Sequence, residues 1–121
     1  MARTFVKSKI HKATVTQTDL EYEGSITLDQ KLMEAADIEP YEQVHVLNLN
    51  NGNRLETYAI KGKAHSGVVC LNGAAARHAE KGDQIIILTY QSFSDIPPKG
   101  YSPRVLLVSP KNKISKITGG K

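Results

Sequence analysis

Four short stretches of this chain hold residue types that packing alone does not call for. The first is Glu23-Gly24-Ser25, where a hydroxyl directly follows the least hindered carbonyl a chain can present. A serine so placed can add to the carbonyl carbon before it, so the pair reads either as a self-cleavage junction or as an ordinary Gly-Ser turn. The second is Lys9-Ile10-His11, which with Lys7 puts two ammonium groups and an imidazole on one face of an extended segment. That face is an anion site or a solvated strand edge. In the third, Arg54-Leu55-Glu56-Thr57-Tyr58, alternation sends Arg54, Glu56 and Tyr58 to one side and Thr57 to the other. On pattern alone this is a surface ion pair between Arg54 and Glu56 with Tyr58 half-buried beside it. The fourth is Asn72-Gly73-Ala74-Ala75-Ala76, whose small residues let the backbone approach a ligand. A helical turn starting near Ala74 would offer free N–H groups to an anion, whereas the plain alternative is a tight turn with no ligand.

The elements that must position these groups form one domain. At 121 residues the chain is long enough to bury a core without metal or disulfide staples. Its one cysteine, Cys70, lies in the apolar run Val68-Val69-Cys70-Leu71 and reads as a small buried hydrophobe. An unpaired cysteine suits a reducing cytoplasm, and neither a membrane-length apolar run nor the apolar core of a signal peptide is present. The expectation is a soluble cytoplasmic protein. The net charge of +4 gathers partly in the tail from Pro110 to Lys121 and suits nucleic acid, an acidic small molecule or plain solvation. Aromatic residues at 6% are too few for single-strand stacking platforms.

Alternating residues from Phe5 to Gln17 mark a strand, and Ile26-Thr27-Leu28 marks another after the Gly24-Ser25 junction. Asp29 is placed to cap a helix over Gln30-Lys31-Leu32-Met33-Glu34-Ala35-Ala36, with Leu28, Leu32, Met33 and Ala36 on its inner face. Val44, Val46, Leu47 and Leu49 predict a strand into Asn51-Gly52, a hairpin signal of the type I′ kind, and Arg54 to Ile60 returns. Val68 to Leu71, Ile85 to Leu88 and Val105 to Val108 complete a set of six or so short strands with two short helices. This predicts a mainly β fold, a compact barrel with minor helices. The four histidines have no metal-ligand spacing, and no metal is expected.

Taken together, Lys9-Ile10-His11, Tyr22, Gly24-Ser25, Asn51-Gly52, Arg54, Thr57-Tyr58 and Asn72-Gly73-Ala74-Ala75-Ala76 stand in one family's order and spacing. The chain closely resembles the aspartate 1-decarboxylases from Arg3 to about Lys113. The resemblance implies a double-psi β-barrel, a homotetramer, and decarboxylation of L-aspartate to β-alanine for pantothenate synthesis. It also implies a covalent pyruvoyl cofactor made from Ser25, with no metal and no pyridoxal phosphate. Cleavage at Gly24-Ser25 would give chains 1–24 and 25–121. Thr57 would hydrogen-bond the Gly24 oxygen during processing and later assist substrate binding; Arg54 and Lys9 would meet substrate carboxylates; Tyr58 would return a proton after carbon dioxide leaves. Asn72, Gly73, Ala74 and Ala75 would cradle substrate and pyruvoyl oxygens, with His11 and Tyr22 in support.

Alternation adds one expectation of its own. If Thr57 faces the local Gly24-Ser25 bond while Arg54 and Tyr58 face away, one subunit struggles to aim all three at one centre, so the sites should lie at subunit interfaces. The alternative is a twist or bulge that brings them together in one chain. The sequence departs from the family at Ala64-His65, where Arg-Gly is usual, at Phe5, where methionine is frequent, and in its short tail. Two rival readings are an uncleaved relative serving as a binding module and a basic nucleic-acid-binding barrel. No membrane partner is expected, and a maturation helper protein is an open partner.

Overall fold

The structure is a computed structural model that describes residues 1–120. Among these residues there are nine strands and two short helices in the order β1 (Arg3–Thr14), β2 (Gln17–Asp19), β3 (Ser25–Asp29), α1 (Gln30–Ala36), β4 (Gln43–Asn48), β5 (Arg54–Gly62), β6 (Val69–Asn72), a 3-10 helix (Gly73–His78), β7 (Gln84–Phe93), β8 (Arg104–Val108) and β9 (Ile114–Thr118). The chain is thus mostly β with minor helices, consistent with the small barrel that the turn spacing predicts. β2 and β9 exceed the expected count because neither carries an apolar alternation. β9 is exposed along its length and is held by its ladder to β8.

β1 shows how pattern becomes placement. Ser8 and Ile10 point inward and are buried, while Lys7, Lys9 and His11 lie on the other face. The register slips between Ile10 and Ala13, where Lys12 takes a φ of 61°, and this bulge returns Ala13 and Val15 to the core. β1 is not an edge: it pairs antiparallel with β7 and parallel with β8. The solvated-edge reading of Lys7, Lys9 and His11 is therefore corrected. The ladder on both sides uses up the backbone groups that an edge would expose.

The strands follow the order β2-β6-β3-β5-β4-β7-β1-β8-β9, and β5 joins the two halves by pairing parallel with β3 and antiparallel with β4. Ile10, Ile26, Leu28, Val44, Val46, Leu71, Ile85, Ile87 and Leu106 fill the space enclosed, each fully buried. α1 adds Leu32, Met33 and Ala36, as the spacing predicts. Burying a side chain such as Leu32 stabilises by about 1.5–3 kcal/mol.

Asp29 caps α1 as expected, accepting the Lys31 N–H at 2.8 Å, and it also accepts the Gly67 N–H at 2.8 Å and the His65 N–H at 3.1 Å. Burial alone would raise its carboxyl pKa, but the N–H groups of Gly67, Lys31 and His65, with the charge of Lys113, hold it below the usual carboxylate value. The Ala64-His65 departure thus sits in a loop tied to the helix cap, with His65 at a φ of 66°.

The β4–β5 hairpin forms, but not with a type I′ turn. Only Gly52 of the pair has a positive φ, and the Gly52 N–H donates to the Asn48 carbonyl at 2.9 Å across a longer loop. The Asn48 side chain explains the difference, since its Oδ1 accepts from Asn50 N–H at 2.8 Å and its Nδ2 donates to His78 O and Asp83 Oδ2. Tertiary partners override the two-residue turn.

Candidate active site at the Gly24–Ser25 junction

Ser25 is the first residue of β3, and Gly24 is the last of the exposed turn that precedes it. β3 lies between β5 and β6, and the antiparallel register with β6 sets Ser25 opposite Asn72. Ser25 is 0% exposed, whereas Tyr22 on the turn is 51% exposed. The Ser25 hydroxyl donates to the Glu23 carbonyl at 3.1 Å and accepts from Asn72 Nδ2 at 2.9 Å. The second hydrogen of that amide goes to Thr27 Oγ1, also at 2.9 Å. Asn72 Oδ1 accepts from the Cys70 thiol at 3.2 Å. Burial, and then the Asp19 carboxylate, push the Cys70 thiol above its ordinary pKa, so it stays protonated and donates at neutral pH.

Gly73 backs the turn. Its φ is +61°, and a Cβ there would lie 2.6 Å from Gly24 N and Tyr22 O and 2.8 Å from Gly24 Cα. Only glycine permits backbone to approach backbone so closely. The helical turn expected near Ala74 is present as the 3-10 helix from Gly73, with Ala75 and Ala76 buried and Ala74 exposed. The φ of Gly24 is not positive and a Cβ would meet nothing within 4 Å, so no left-handed strain is held there. What Gly24 offers is open space where a side chain would stand.

The parallel register sets Ile26 opposite Ala59, and Gly24 two residues earlier comes beside Thr57. Both line one cavity of about 230 Å³ with Leu55, Glu56, Ala74, Ala75 and His78. Arg54 lines a different cavity of about 400 Å³ with His45, Val46, Leu47, Leu55 and Glu56. The expected ion pair between Arg54 and Glu56 does not form. Glu56 stands opposite His45 across the ladder and binds His45 Nε2 at 3.2 Å and Gln43 Nε2 at 2.9 Å. Arg54 is left without a side-chain partner among the described residues. Tyr58 is half-buried, as expected, and packs on Tyr41, ring centroids 6.2 Å apart.

Lys9 and His11 lie on β1, separated from β3 in the strand order by β5, β4 and β7, and neither lines the cavity at Gly24. Lys7 is engaged by Glu42 at 2.7 Å, while Lys9 has no acidic partner among the described residues. Burial first, and the charges of Lys9 and Lys12 second, lower the His11 pKa, and His11 Nδ1 is buried without a hydrogen-bond partner. Within one chain, then, Gly24, Ser25, Thr57, Asn72, Gly73, Ala74 and Ala75 come together with Tyr22 on the turn. Arg54, Tyr58, Lys9 and His11 stand apart.

Sequence reasoning missed three neighbours of the junction. Cys70 and Thr27 are cross-strand partners on the Ser25–Asn72 face, and a period of two counted back from Asn72 and forward from Ser25 finds both. Cys70 is buried as expected, but it is a hydrogen-bond donor and not merely a hydrophobe. His78 in the Gly24 cavity had no signal in the sequence, because the turn of the 3-10 helix brings it there.

No group of three histidine, cysteine or acidic side chains among the described residues could hold a metal, and no helix among them is long and apolar enough to cross a membrane. Fold and site together define a small, mainly β domain with a buried serine directly after a glycine, walled by the turn at Gly73 and held by an amide donor. The comparisons with known proteins narrow that class. The profile of the family described as aspartate decarboxylase matches residues 1–115. Aspartate 1-decarboxylase of Moorella thermoacetica is 55% identical over 120 residues, 99% of this chain and 94% of the relative. That of Clostridium botulinum strain Langeland is 53% identical over 118 residues, covering 98% and 93%. That of Syntrophus aciditrophicus is 54% identical over 114 residues, covering 94% and 98%. The chain belongs to the aspartate decarboxylase family.

Proposed function

We propose that the chain breaks its own Gly24–Ser25 bond to make an electrophile and with it converts L-aspartate to β-alanine and carbon dioxide, supplying β-alanine for pantothenate synthesis. The observation that carries this reading is a fully buried Ser25 hydroxyl, held at 2.9 Å by the Asn72 amide, directly after an uncrowded glycine.

In the first step Ser25 Oγ adds to the Gly24 carbonyl carbon, the peptide C–N bond breaks, and the hydroxyl proton passes to the freed nitrogen, leaving an ester. Removal of the Ser25 α-proton with rupture of Cβ–Oγ releases residues 1–24 as a carboxylate. The dehydroalanine left at position 25 exchanges its nitrogen for a water oxygen and loses ammonia. Thr57 shares the cavity with Gly24, and its hydroxyl donates to the oxygen on which charge develops. One such donor is worth about 3 kcal/mol. The Asn72 Nδ2–H steadies Ser25 Oγ as its proton leaves.

The place suits the cofactor. It offers Asn72 as a side-chain donor, a glycine at 73 that allows close backbone approach, and two small residues after it. A pyruvoyl group there supplies a ketone for the substrate amine and a sink for the electrons that carbon dioxide leaves behind. Arg54, with Glu56 committed to His45, is free to grip a substrate carboxylate with two parallel hydrogen bonds. Lys9 adds a second positive charge, and the Tyr58 hydroxyl returns a proton to the substrate carbon. Position 25 is sealed before cleavage, so freeing the chain end at Gly24 also lets the exposed turn swing aside and admit substrate. Because Arg54, Tyr58 and Lys9 do not line the Gly24 cavity, they act on the site of a neighbouring subunit in a homotetramer.

Intact mass of the purified protein, with carbon dioxide release from L-aspartate, tests the reading. It expects a fragment ending at Gly24 and a second beginning with a blocked residue 25. A preparation that remains one uncut chain and still decarboxylates aspartate refutes it.

A further inference from the structure

Position 70 has no part in the chemistry above, yet Cys70 hydrogen-bonds Asn72, whose side chain in turn hydrogen-bonds Ser25. Asn72 uses both amide hydrogens on hydroxyls, Ser25 Oγ and Thr27 Oγ1, each at 2.9 Å, and turns its oxygen to Cys70 Sγ at 3.2 Å. All four side chains lie on one face of the β3–β6 ladder, where Ser25 faces Asn72 and Thr27 faces Cys70. An amide can be turned end for end in such a pocket at little steric cost, because its nitrogen and oxygen are nearly the same size. Hydroxyls do not choose between the two settings, since each can donate or accept. A protonated thiol biases the choice: its hydrogen meets the amide oxygen at a Sγ–Oδ1 distance of 3.2 Å, whereas the reversed amide would meet only sulfur, a weak acceptor.

We infer that Cys70 is a positioning residue for self-cleavage, fixing the Asn72 side chain with its N–H groups toward Ser25 Oγ. The inference rests on the reading that the Gly24–Ser25 bond is cut. As Ser25 Oγ loses its proton and attacks, it gathers negative charge. An amide N–H at 2.9 Å stabilises that charge, whereas the reversed amide would set a carbonyl oxygen against it. The Ser25 O–H already points to the Glu23 carbonyl at 3.1 Å, so the nucleophile's free lone pair is the one that the Asn72 donor meets. Cys70 is 5% exposed, and its thiol makes its shorter contact with Asn72, the other being the Leu71 carbonyl at 3.9 Å, so its influence on Ser25 runs through Asn72.

The test follows uncut full-length chain by intact mass as it matures. Cys70→Val removes the donor, and Cys70→Ser puts there a hydroxyl, which donates or accepts with little preference and so leaves the amide less firmly set. Loss of one neutral hydrogen bond predicts that Cys70→Val cuts about 3- to 10-fold more slowly, with Cys70→Ser between it and the parent. In an Asn72→Ala background, Cys70→Val should change the rate no further. Cys70→Ala replaces Cys70→Val if the latter does not fold. Parent and Cys70→Val chains maturing at equal rates overturn the inference, as does an equal slowing in the Asn72→Ala background, which would mean simple packing. A parent chain that never cuts instead overturns the self-cleavage reading on which the inference stands.

Discussion

Two glycines face each other across the junction and should respond to a methyl group in opposite ways. At Gly73 an alanine must hold a φ of +61° and place its Cβ 2.6 Å from two backbone atoms of the Tyr22–Gly24 turn. The left-handed conformation costs about 1–2 kcal/mol for a residue with a side chain. The contact is worse, because no flexible side chain can yield: the turn must retreat by several tenths of an ångström to reach an ordinary 3.4 Å separation. Displacement on that scale at a reacting centre costs up to about 100-fold in rate. Gly73→Ala should therefore lose about 2–4 kcal/mol in stability, from the conformational and overpacking costs together, and cut up to about 100-fold more slowly. Gly24→Ala meets nothing within 4 Å and needs no left-handed φ, so its fold should be as stable as the parent's or more stable by up to about 1 kcal/mol. Denaturant unfolding of uncut chains gives the stabilities, and intact mass against time gives the cutting rates. A Gly73→Ala chain that matured at the parent rate would show that the close approach at Gly73 does not set the position of the scissile bond.

Thr57→Val should leave one intact chain, or cut about 100-fold more slowly, since it removes one donor from the cavity that Gly24 lines; normal maturation by gel and mass would withdraw that role. Mixed assemblies of Arg54→Ala and Ser25→Ala subunits should regain part of the activity that each lacks alone, because Arg54 and the Gly24 cavity lie apart in one chain; no recovery would argue for sites built within single subunits. Asp29→Ala should destabilise by about 2–4 kcal/mol in urea, since it removes a helix cap and leaves the buried Gly67 N–H unpaired. The folded pKa of Asp29 lies below its unfolded value, so its contribution is complete above about pH 4 and is lost as pH falls through the folded pKa; the parent's stability should decline over that range more than the variant's. His11 also has a depressed folded pKa, so its contribution is full above about pH 6.5 and fades below, and its NMR titration midpoint should lie under that value.

Much of the fold was legible because it follows from local pattern. The period of two put Ser8 and Ile10 inside, and Asp29 before an apolar stripe at helical spacing gave α1 and its cap. β2 and β9 were not legible, because their evidence is a partner strand and not their own composition. The hairpin turn was misread at Asn51 because Asn48 makes bonds to His78 and Asp83 that no short window contains. The ion pair expected from Arg54 to Glu56 along one strand lost to His45 across the ladder, since directly opposite residues are nearer than residues two apart on the same strand.

The junction divides along the same line. The sequence by itself determined the Gly24–Ser25 pair: a hydroxyl after a glycine is covalent fact, as are the small residues at 73 to 75, and the opposite facing of Thr57 and Arg54 follows from alternation once β5 forms. Only the tertiary structure decided that Ser25 is sealed, that Asn72 reaches it, that Cys70 stands behind Asn72, and that Gly24 carries no left-handed strain. Those outcomes depend on the register of β3 against β5 and β6, which is fixed by core residues such as Ile26, Leu28 and Leu71, far in sequence from the groups they align. Residue type sets what a side chain can do; strand register sets what it meets.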